Sequence, residues 1–307
     1  MRVIDNKALV LKTKRPHLVT EPIAKHKTVI IKEEQGVYEV AIKWDLETAQ
    51  VLAGLKIKEV PSPIDTSGFL TLHKKAFCFN EQGTGKTASV IWASDYLMKI
   101  GRIKRVLVIC PLSIMKSAWQ QDLFKFAMHR SCSVAHGSAD IRRKVLAEDC
   151  EFVIINFDGV AVIKEEIQNA KFDMVVIDEA NAYKNAQTDR WKTLRDLVAD
   201  TEWLWMLTGT PAAQSPVDAF GLAKLINPDG VPKYFGAFRD KVMYKATQYV
   251  WRPKPDADKT VHEALQPAIR FERAQCLDLP PLTFVERDAP LTKQQEKYYN
   301  LLKQQMT

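Results

Sequence analysis

The sequence contains no apolar run long enough to cross a membrane or to form the core of a secretory signal. Apolar runs such as 106–110 and 153–155 are far shorter than the roughly 20 residues that a membrane helix requires. The first residues, MRVIDNK, likewise hold no uninterrupted apolar stretch of signal-peptide length. These absences exclude a membrane partner and predict an intracellular protein that is not secreted.

The sequence has few cysteines and no cysteine framework. Its five cysteines are odd in number, lie far apart and include no Cys-x-x-Cys pair. This pattern excludes a disulfide scaffold and a zinc site, and it is typical of reduced, mostly buried thiols in an intracellular protein.

Dense basic runs, internal repeats and low-complexity segments are also missing. The formal net charge of +7 is compatible with a nucleic-acid partner, although a mildly basic enzyme explains it equally well. With 46% hydrophobic and 26% charged residues, the 307-residue chain has the composition of a globular protein. Its length allows one large domain or two ordinary ones.

The two ends of the chain differ in character from its middle. Residues 1–60 predict a small α+β module, because β-rich runs at 28–32 and 37–42 flank a glycine turn and a capped helix follows from Asp45. Residues 231–307 predict a mostly helical linker segment, with a strand at 283–287 and a helix at 292–306. We interpret the aromatic residues at 234–251 as the core of an appended helical segment rather than as a platform for stacking bases.

Residues 61–230 alternate between strand and helix patterns. The predicted strands are 76–79, 105–110, 131–135, 152–156, 174–178 and 203–208. The predicted helices are 87–100, 113–127, 139–147, 160–170 and 188–198. Continuous apolar strands separated by amphipathic helices indicate an α/β fold, a parallel sheet covered on both faces. Ligands of such sheets bind at the carboxyl ends of the strands, where three polar clusters lie.

The first cluster is the glycine loop NEQGTGKT, which follows a short apolar strand and opens a helix. Glycines let several backbone N–H groups point at one anion, and the helix N-terminus adds partial positive charge. Lys86 can then reach the β- and γ-phosphates of a nucleotide, and the Thr87 hydroxyl can ligate Mg²⁺. The residues expected to line the phosphates are Gln82, Gly83, Thr84, Gly85, Lys86, Thr87 and Ala88.

This loop departs from the strict phosphate-loop pattern at one position, since Asn80 stands where the pattern has Gly. The alternative is an ordinary glycine turn before a helix. We favour the phosphate loop because Lys-Thr follows at the right place in a strand–loop–helix context.

The second cluster, Asp178-Glu179, ends the apolar strand 174–178. Two adjacent acids after buried residues are costly without partners. In a phosphate-loop enzyme, Asp178 would help to hold Mg²⁺ and Glu179 would orient or deprotonate the attacking water. By itself the pair is more typical of a helix N-terminus; the upstream phosphate loop favours the functional interpretation.

The third cluster, Thr208-Gly209-Thr210, ends the strand 203–208. Two hydroxyls and a glycine there suit coupling between the γ-phosphate side and a neighbouring surface. Alone, this motif is weak and is equally explained as a strand-terminating turn.

Taken in order and spacing, five segments resemble the first motor lobe of superfamily 2 helicase-like ATPases, nearest to the Swi/Snf-type branch and to a phage-type form of it. These segments are NEQGTGKT (80–87), VLVICPLSIMKSAW (106–119), VIINFD (153–158), DEANAYKN (178–185) and LTGTPAAQ (207–214). The resemblance implies a three-layer RecA-like domain that binds ATP and Mg²⁺. It also implies the cytoplasm of a bacterium or of a phage-infected host as the location.

The resemblance also implies roles for single residues. Lys86 with Thr87, and Asp178 with Glu179, correspond to the Walker A and Walker B pairs. The residues implied to couple hydrolysis to lobe movement are Asn181, Thr208, Gly209 and Thr210. The segments implied to touch the nucleic-acid backbone contain Pro111, Leu112, Ser113 and Asn156. Residues 266–282 and 291–302 resemble the linker that leads into a second lobe.

The chain departs from the family in two further places. Asn181 stands where the family usually has His, which affects coupling more than hydrolysis. Residues 61–72 contain no Gln, although the family often reads adenine through a Gln ahead of the phosphate loop. A preference for adenine is therefore implied by the family alone.

From these observations we expect the N-terminal half of an ATP-driven translocase of duplex DNA, bound without regard to sequence, with a second RecA-like lobe supplied in cis or in trans. The competing hypothesis is a nucleotide-dependent DNA-binding or regulatory module without productive catalysis. A third hypothesis is a single-lobe phosphate-loop enzyme such as a kinase, but this hypothesis leaves the CPLS and LTGTP segments unexplained.

Overall fold

The computed structural model divides the chain into two units, residues 1–277 and 278–307. It describes residues 2–4, 8–13, 28–34, 37–43, 64–212, 214–276 and 289–305. The predicted helix that follows Asp45 and a predicted strand at 283–287 lie outside these residues. The segment boundaries predicted at residues 60 and 230 stay predictions.

Near the N-terminus four strands form an antiparallel sheet in the order β1-β2-β4-β3. They are β1 (Arg2–Ile4), β2 (Ala8–Thr13), β3 (Thr28–Glu34) and β4 (Val37–Lys43). The predicted hairpin is confirmed, because β3 pairs with β4 from Thr28 opposite Ile42 to Glu34 opposite Val37.

A second sheet of seven parallel strands organises the rest of the first unit, in the order β13-β5-β10-β9-β6-β8-β7. Its strands are β5 (Lys75–Cys78), β6 (Val106–Cys110), β7 (Cys132–Ala135), β8 (Phe152–Asn156), β9 (Met174–Asp178), β10 (Trp203–Leu207) and β13 (Ala268–Ile269). A separate hairpin pairs β11 (Met243–Lys245) with β12 (Trp251–Pro253). The six predicted strands all lie within one or two residues of observed ones.

Helices cover this sheet. Those that the structure describes in the first unit are α1 (Ile64–Leu72), α2 (Lys86–Lys99), α3 (Gln121–Phe126), α4 (Ala139–Ala147), α5 (Phe157–Val162), α6 (Lys164–Asn169), α7 (Asp189–Leu197), α8 (Ala219–Ile226), α9 (Phe235–Val242), α10 (Ala257–Ala264) and α11 (Arg273–Cys276). The second unit contains α12 (Lys293–Gln305), which confirms the helix predicted there. No helix in the described part of the chain is long and apolar enough to cross a bilayer.

The core lies on both faces of the seven-stranded sheet. Along β6, Leu107 and Ile109 join one apolar cluster, whereas Val106 and Val108 join the other. Successive strand residues point to opposite faces, so each strand feeds both clusters. The predicted three-layer architecture, with a parallel sheet between two helical layers, is confirmed.

Two predicted helices differ in detail from the observed ones. The stretch 160–170 is interrupted at Ile163, a fully buried residue with φ −130°, so that α5 and α6 are separate. The stretch 113–127 opens with a π-helical turn, Met115–Gln120, before α3 begins. Both changes serve packing, because each places a buried apolar side chain against the sheet.

The interpretation of the aromatic residues between 234 and 251 as core was only partly right. Phe238 is 1% exposed and belongs to the core. Tyr234, Tyr244 and Tyr249, in contrast, are 68%, 44% and 86% exposed. The segment also contains a β-hairpin in addition to helices, and the tyrosines at 244 and 249 lie on that hairpin.

Candidate active site

Three neighbouring strands bring the three polar clusters together. Strand β10 lies between β5 and β9, and all three run in the same direction. Their carboxyl ends, Cys78, Asp178 and Leu207, therefore open on one edge of the sheet. The glycine loop, the acid pair and the Thr-Gly-Thr turn meet there.

The glycine loop has the backbone of an anion cradle. Gly83 and Gly85 both adopt left-handed conformations, with φ of +86° and +83°. Helix α2 begins at once with Lys86, and no side chain caps its first N–H groups. Uncapped N–H groups at a helix start, beside two left-handed glycines, form a site for phosphate.

The Lys86 amine lies across the loop. Its Nζ donates to the carbonyl oxygens of Asn80 at 2.8 Å and Glu81 at 3.1 Å. The hydroxyl of Thr84 donates to the same Glu81 carbonyl at 2.7 Å. These bonds hold the amine within the loop, where a bound phosphate would compete for it.

Asn80, the departure from the phosphate-loop pattern, is fully buried and bridges three segments. Its Nδ2 donates to the Thr66 hydroxyl of α1 at 2.7 Å. Its Oδ1 accepts from the backbone N–H of Phe271 at 3.0 Å. A glycine could make neither bond, which gives a physical reason for asparagine at this position.

Replacing Asn80 by glycine restores the strict pattern, yet we expect it to destabilise the protein. The loss of two buried hydrogen bonds leaves partners unsatisfied and should lower the free energy of unfolding by about 2–4 kcal/mol. Asn169→Gly, at an exposed position, is the matched control and should cost no more than about 1 kcal/mol. Chemical denaturation measures both, and equal effects would show that the bridge contributes nothing.

The C-terminal part of the first unit is joined to the glycine loop and its preceding strand by strand pairing and hydrogen bonds. Strand β13 pairs with β5, with Ala268 opposite Phe77. Beyond the strand, the Glu81 N–H donates to the Phe271 carbonyl at 2.9 Å. The Arg273 side chain donates from Nε to the Gln82 carbonyl at 3.1 Å. Sequence reasoning missed these contacts, because they join residues about 190 positions apart.

Asp178 is buried at the end of β9 and has two hydrogen-bond donors. The indole N–H of Trp119 donates to its Oδ2 at 2.9 Å, and the Glu179 N–H donates to its Oδ1 at 3.0 Å. Burial raises the pKa of Asp178; the two donors and the nearby Lys86 charge oppose this rise. A buried carboxylate held by directed donors suits a site for a hard cation.

Trp119 is a site residue that sequence reasoning did not single out. It lies on the π-helical turn and is fully buried. A buried indole N–H needs an acceptor, and a buried acid needs a donor. The combination of a buried indole donor and a buried acid is therefore the signal by which Trp119 could have been predicted as a site residue.

Glu179 has an exposed side chain on a strained backbone, with φ +55°. Left-handed conformations cost a residue with a side chain about 1–3 kcal/mol and cluster at functional sites. Although the residue is exposed, its carboxyl is partly desolvated, and this desolvation and the Asp178 charge raise the pKa of Glu179, while the Lys86 charge opposes the rise. A carboxyl with a raised pKa beside a phosphate cradle has the properties of a general base.

Three of the four predicted coupling residues, Asn181, Thr208 and Thr210, form one hydrogen-bonded set. The Asn181 amide donates to the Thr210 carbonyl oxygen at 2.7 Å and to its hydroxyl at 3.1 Å. The Thr210 N–H donates to the Thr208 hydroxyl at 3.3 Å, and the Thr208 N–H to the Cys78 carbonyl at 3.1 Å. Asparagine thus links the acid-pair strand to the Thr-Gly-Thr turn.

Gly209 lies against the phosphate loop. A Cβ there would lie 3.7 Å from the Asn80 carbonyl oxygen and 3.8 Å from the Gln82 nitrogen. These are ordinary contact distances. The turn after β10 therefore packs directly on the loop that would hold the nucleotide.

The four residues implied to contact nucleic acid occupy two different environments. Leu112 and Ser113 are exposed beyond β6, and Pro111 is half-buried. Asn156 is buried, and its Oδ1 accepts from Arg142 Nη1 at 2.9 Å. The Asn156 side chain is therefore part of an internal network. A contact from this region would have to come from the backbone that follows it.

The parallel sheet with a phosphate loop and an acid pair at one edge defines a RecA-like, helicase-type ATPase fold. A family model described as SNF2-related domain matches residues 43–307. The chain therefore belongs to the SNF2-related domain family, within the predicted Swi/Snf-type branch of superfamily 2. The phage-type form stays a prediction.

Individual relatives agree with this assignment. The ATP-dependent helicase fft2 of Schizosaccharomyces pombe is 25% identical over 245 residues, which are 72% of this chain and 18% of that protein. The chromatin-remodeling ATPase INO80 of Aspergillus oryzae is 27% identical over 246 residues, 74% of this chain and 17% of that protein. The matched part thus spans less than a fifth of either relative.

Solved structures support the fold. The Sulfolobus solfataricus SWI2/SNF2 ATPase core in complex with dsDNA has a TM-score of 0.60 and 24% identity, and the match covers 71% of this chain and 45% of that one. The SWI2/SNF2 ATPase core domain of the same organism has a TM-score of 0.57 and 24% identity, with 78% and 46% covered. At this identity the likeness shows the fold.

Proposed function

We propose that this chain is the N-terminal ATP-binding lobe of an ATP-dependent DNA translocase or remodeller. The observation that carries the proposal is the convergence of Lys86, Asp178 and Glu179 on one sheet edge, beside the Thr208–Thr210 turn. The names of relatives support ATP as the nucleotide. The dsDNA in the Sulfolobus solfataricus complex supports duplex DNA as the partner.

In this proposal the phosphates bind to the N–H groups at the start of α2, and the Lys86 amine exchanges its two loop carbonyls for phosphate oxygens. Thr87 and Asp178 would hold Mg²⁺, which would neutralise phosphate charge. Glu179 would orient the attacking water and accept its proton. The fit rests on the buried carboxylate of Asp178 and the uncapped helix start.

Asn181 would carry the signal from this site. It bonds to both the carbonyl and the hydroxyl of Thr210, so a shift of the acid-pair strand would move the Thr-Gly-Thr turn. Asparagine and histidine can both donate a hydrogen bond, and Asn181 would therefore retain the coupling that the family obtains from histidine.

A second RecA-like lobe, in cis or in trans, would complete the motor. In phosphate-loop enzymes an arginine finger is worth about 10³–10⁵ in rate. Two lobes that close on nucleotide and open after hydrolysis are also needed to step along DNA. The 307 residues alone should therefore bind Mg-ATP and hydrolyse it slowly.

The decisive experiment measures ATP affinity and turnover on one sample, with and without a blunt DNA duplex. Micromolar to millimolar binding of ATP, with slow turnover that duplex DNA accelerates, is the expected result. Binding with no turnover in either condition would favour the competing hypothesis, a nucleotide-dependent DNA-binding or regulatory module. Absence of nucleotide binding would overturn both.

A further inference from the structure

The β11–β12 hairpin is a positive surface that the nucleotide site does not use. We define the basic hairpin as residues 241–254, which contain four cations and no carboxylate. Lys241, Lys245 and Arg252 are exposed. Among the described residues, none of these three forms an ion pair with a carboxylate.

Aromatic side chains lie between these cations. Tyr249, at the turn, is 86% exposed, and Tyr244 is 44% exposed directly opposite Arg252 in the strand pair. Strand partners lie on the same face, so this tyrosine and this arginine share one exposed surface.

The basic hairpin is built to hold its shape. Val242 and Met243 are buried in the core at its base, and the Lys254 N–H donates to the Val242 carbonyl at 2.9 Å. At the turn, the Thr247 hydroxyl accepts from the Val250 N–H at 3.2 Å. An isolated two-stranded hairpin is only marginally stable in water. The anchoring at the base and the turn therefore explains how this polar hairpin stays folded.

Nearby groups leave the positive charge uncancelled. The adjacent carboxylate of Asp240 is engaged by Arg239 at 3.1 Å. The guanidinium of Arg239 lies 4.0 Å from the centre of the Trp251 ring. Trp251 shares its face of the hairpin with its strand partner Lys245, whereas Tyr244 and Arg252 lie on the opposite face. The Lys254 amine donates to the Asp240 carbonyl at 2.7 Å, which leaves three cations on the surface.

We propose that the basic hairpin is a second DNA-contacting surface of this lobe, in which Lys241, Lys245 and Arg252 bind the phosphate backbone. This inference rests on the proposed function for its partner, DNA, but it assigns a surface outside the motor segments. Arg252 on one face and Lys245 on the other let the hairpin contact phosphates on both of its sides, and no carboxylate lies within residues 241–254. The exposed tyrosine rings suit contact with sugars and bases.

The test compares two variants that remove the same charge. Lys241→Gln, Lys245→Gln and Arg252→Gln together remove the cations of the basic hairpin. The control combines Lys99→Gln, Arg102→Gln and Lys104→Gln, which are exposed between the end of α2 and the start of β6. Fluorescence anisotropy with a labelled blunt duplex, at several salt concentrations, gives affinity and its salt dependence.

We expect the hairpin variant to bind duplex at least about tenfold more weakly at low salt, while the control stays near wild type. The slope of log affinity against log salt should fall in magnitude by about 2–3, because each lost phosphate contact contributes about 0.9. A further variant, Lys241→Arg with Lys245→Arg, keeps the charge and should bind like wild type. Thermal unfolding should be unchanged in all three variants.

Equal losses in the hairpin variant and the control, or no loss in either, would overturn the inference. So would a hairpin variant that loses binding to phosphatidylserine vesicles but keeps its affinity for DNA. A different result would contradict the proposed function: the wild-type protein would bind no duplex, and DNA would not stimulate its turnover. Wild-type stimulation without a hairpin effect would leave the proposed function intact.

Discussion

Lys86→Ala should weaken the binding of Mg-ATP by about 100-fold or more and reduce turnover to background. The Lys86 amine is the cation that the structure places inside the phosphate loop, within 3.1 Å of two loop carbonyls. Charge-assisted hydrogen bonds contribute about 1.5–3 kcal/mol each, and two such bonds to phosphate account for this loss. Titration with a fluorescent ATP analogue and a phosphate-release assay measure the two quantities.

The matched control for this prediction is Lys99→Ala. Lys99 lies on the same helix, α2, but at its exposed far end. The Lys99→Ala variant should bind and hydrolyse ATP as the wild type does. Lys86→Ala also removes the hydrogen bond from Lys86 Nζ to the backbone carbonyl of the buried residue Asn80, so thermal unfolding must be recorded as well. A folded Lys86→Ala variant with undiminished affinity would show that the loop is an ordinary turn.

The large sheet could be predicted from the sequence because its strands are short, apolar and buried on both faces. All five residues of β9 are buried, and the acidic residues Asp173 and Glu179 flank the strand. The rule that ligands lie at the carboxyl ends of parallel strands then placed the glycine loop, Asp178 and Thr208 on one edge. The structure brings these three together.

Helix α1 and strand β13 could not be predicted in the same way. Helix α1 buries Thr66, Ser67 and Gly68, so it shows no apolar stripe. Strand β13 has two residues, and its pairing with β5 is set by contacts across most of the chain. Local patterns carry little information about either, because tertiary packing decides both.

Single positions at the site show the same limit. Asn80 looked like a defect in a loop pattern, yet its side chain joins α1 to the segment after β13. Asn156 lies at a strand end, as a contact residue should, yet Arg142 from α4 covers it. The place of each residue, at a strand end for Asn156 and in the loop after a strand for Asn80, was predictable, whereas the partner of the side chain was not.

Glu179→Gln should separate binding from hydrolysis. The substitution keeps the size of the side chain and removes only the proton acceptor, so turnover should fall by about 10²–10⁴. Nucleotide affinity should stay the same or increase slightly, because a negative charge near the phosphates is lost. Glu263→Gln, at an exposed position on α10, is the control and should change neither quantity.

The pH dependence gives this prediction a second readout. Because burial and Asp178 raise the pKa of Glu179, its carboxylate form is lost at a higher pH than that of an ordinary glutamate. Wild-type turnover should therefore decline with acid from above the usual glutamate pKa. The residual turnover of Glu179→Gln should lack the part of that decline that protonation of Glu179 causes, whereas the part that comes from Asp178, whose pKa burial also raises, should remain. If Glu179→Gln instead lost binding and turnover together, the strained backbone at φ +55° would serve to shape the loop, and the base would lie elsewhere.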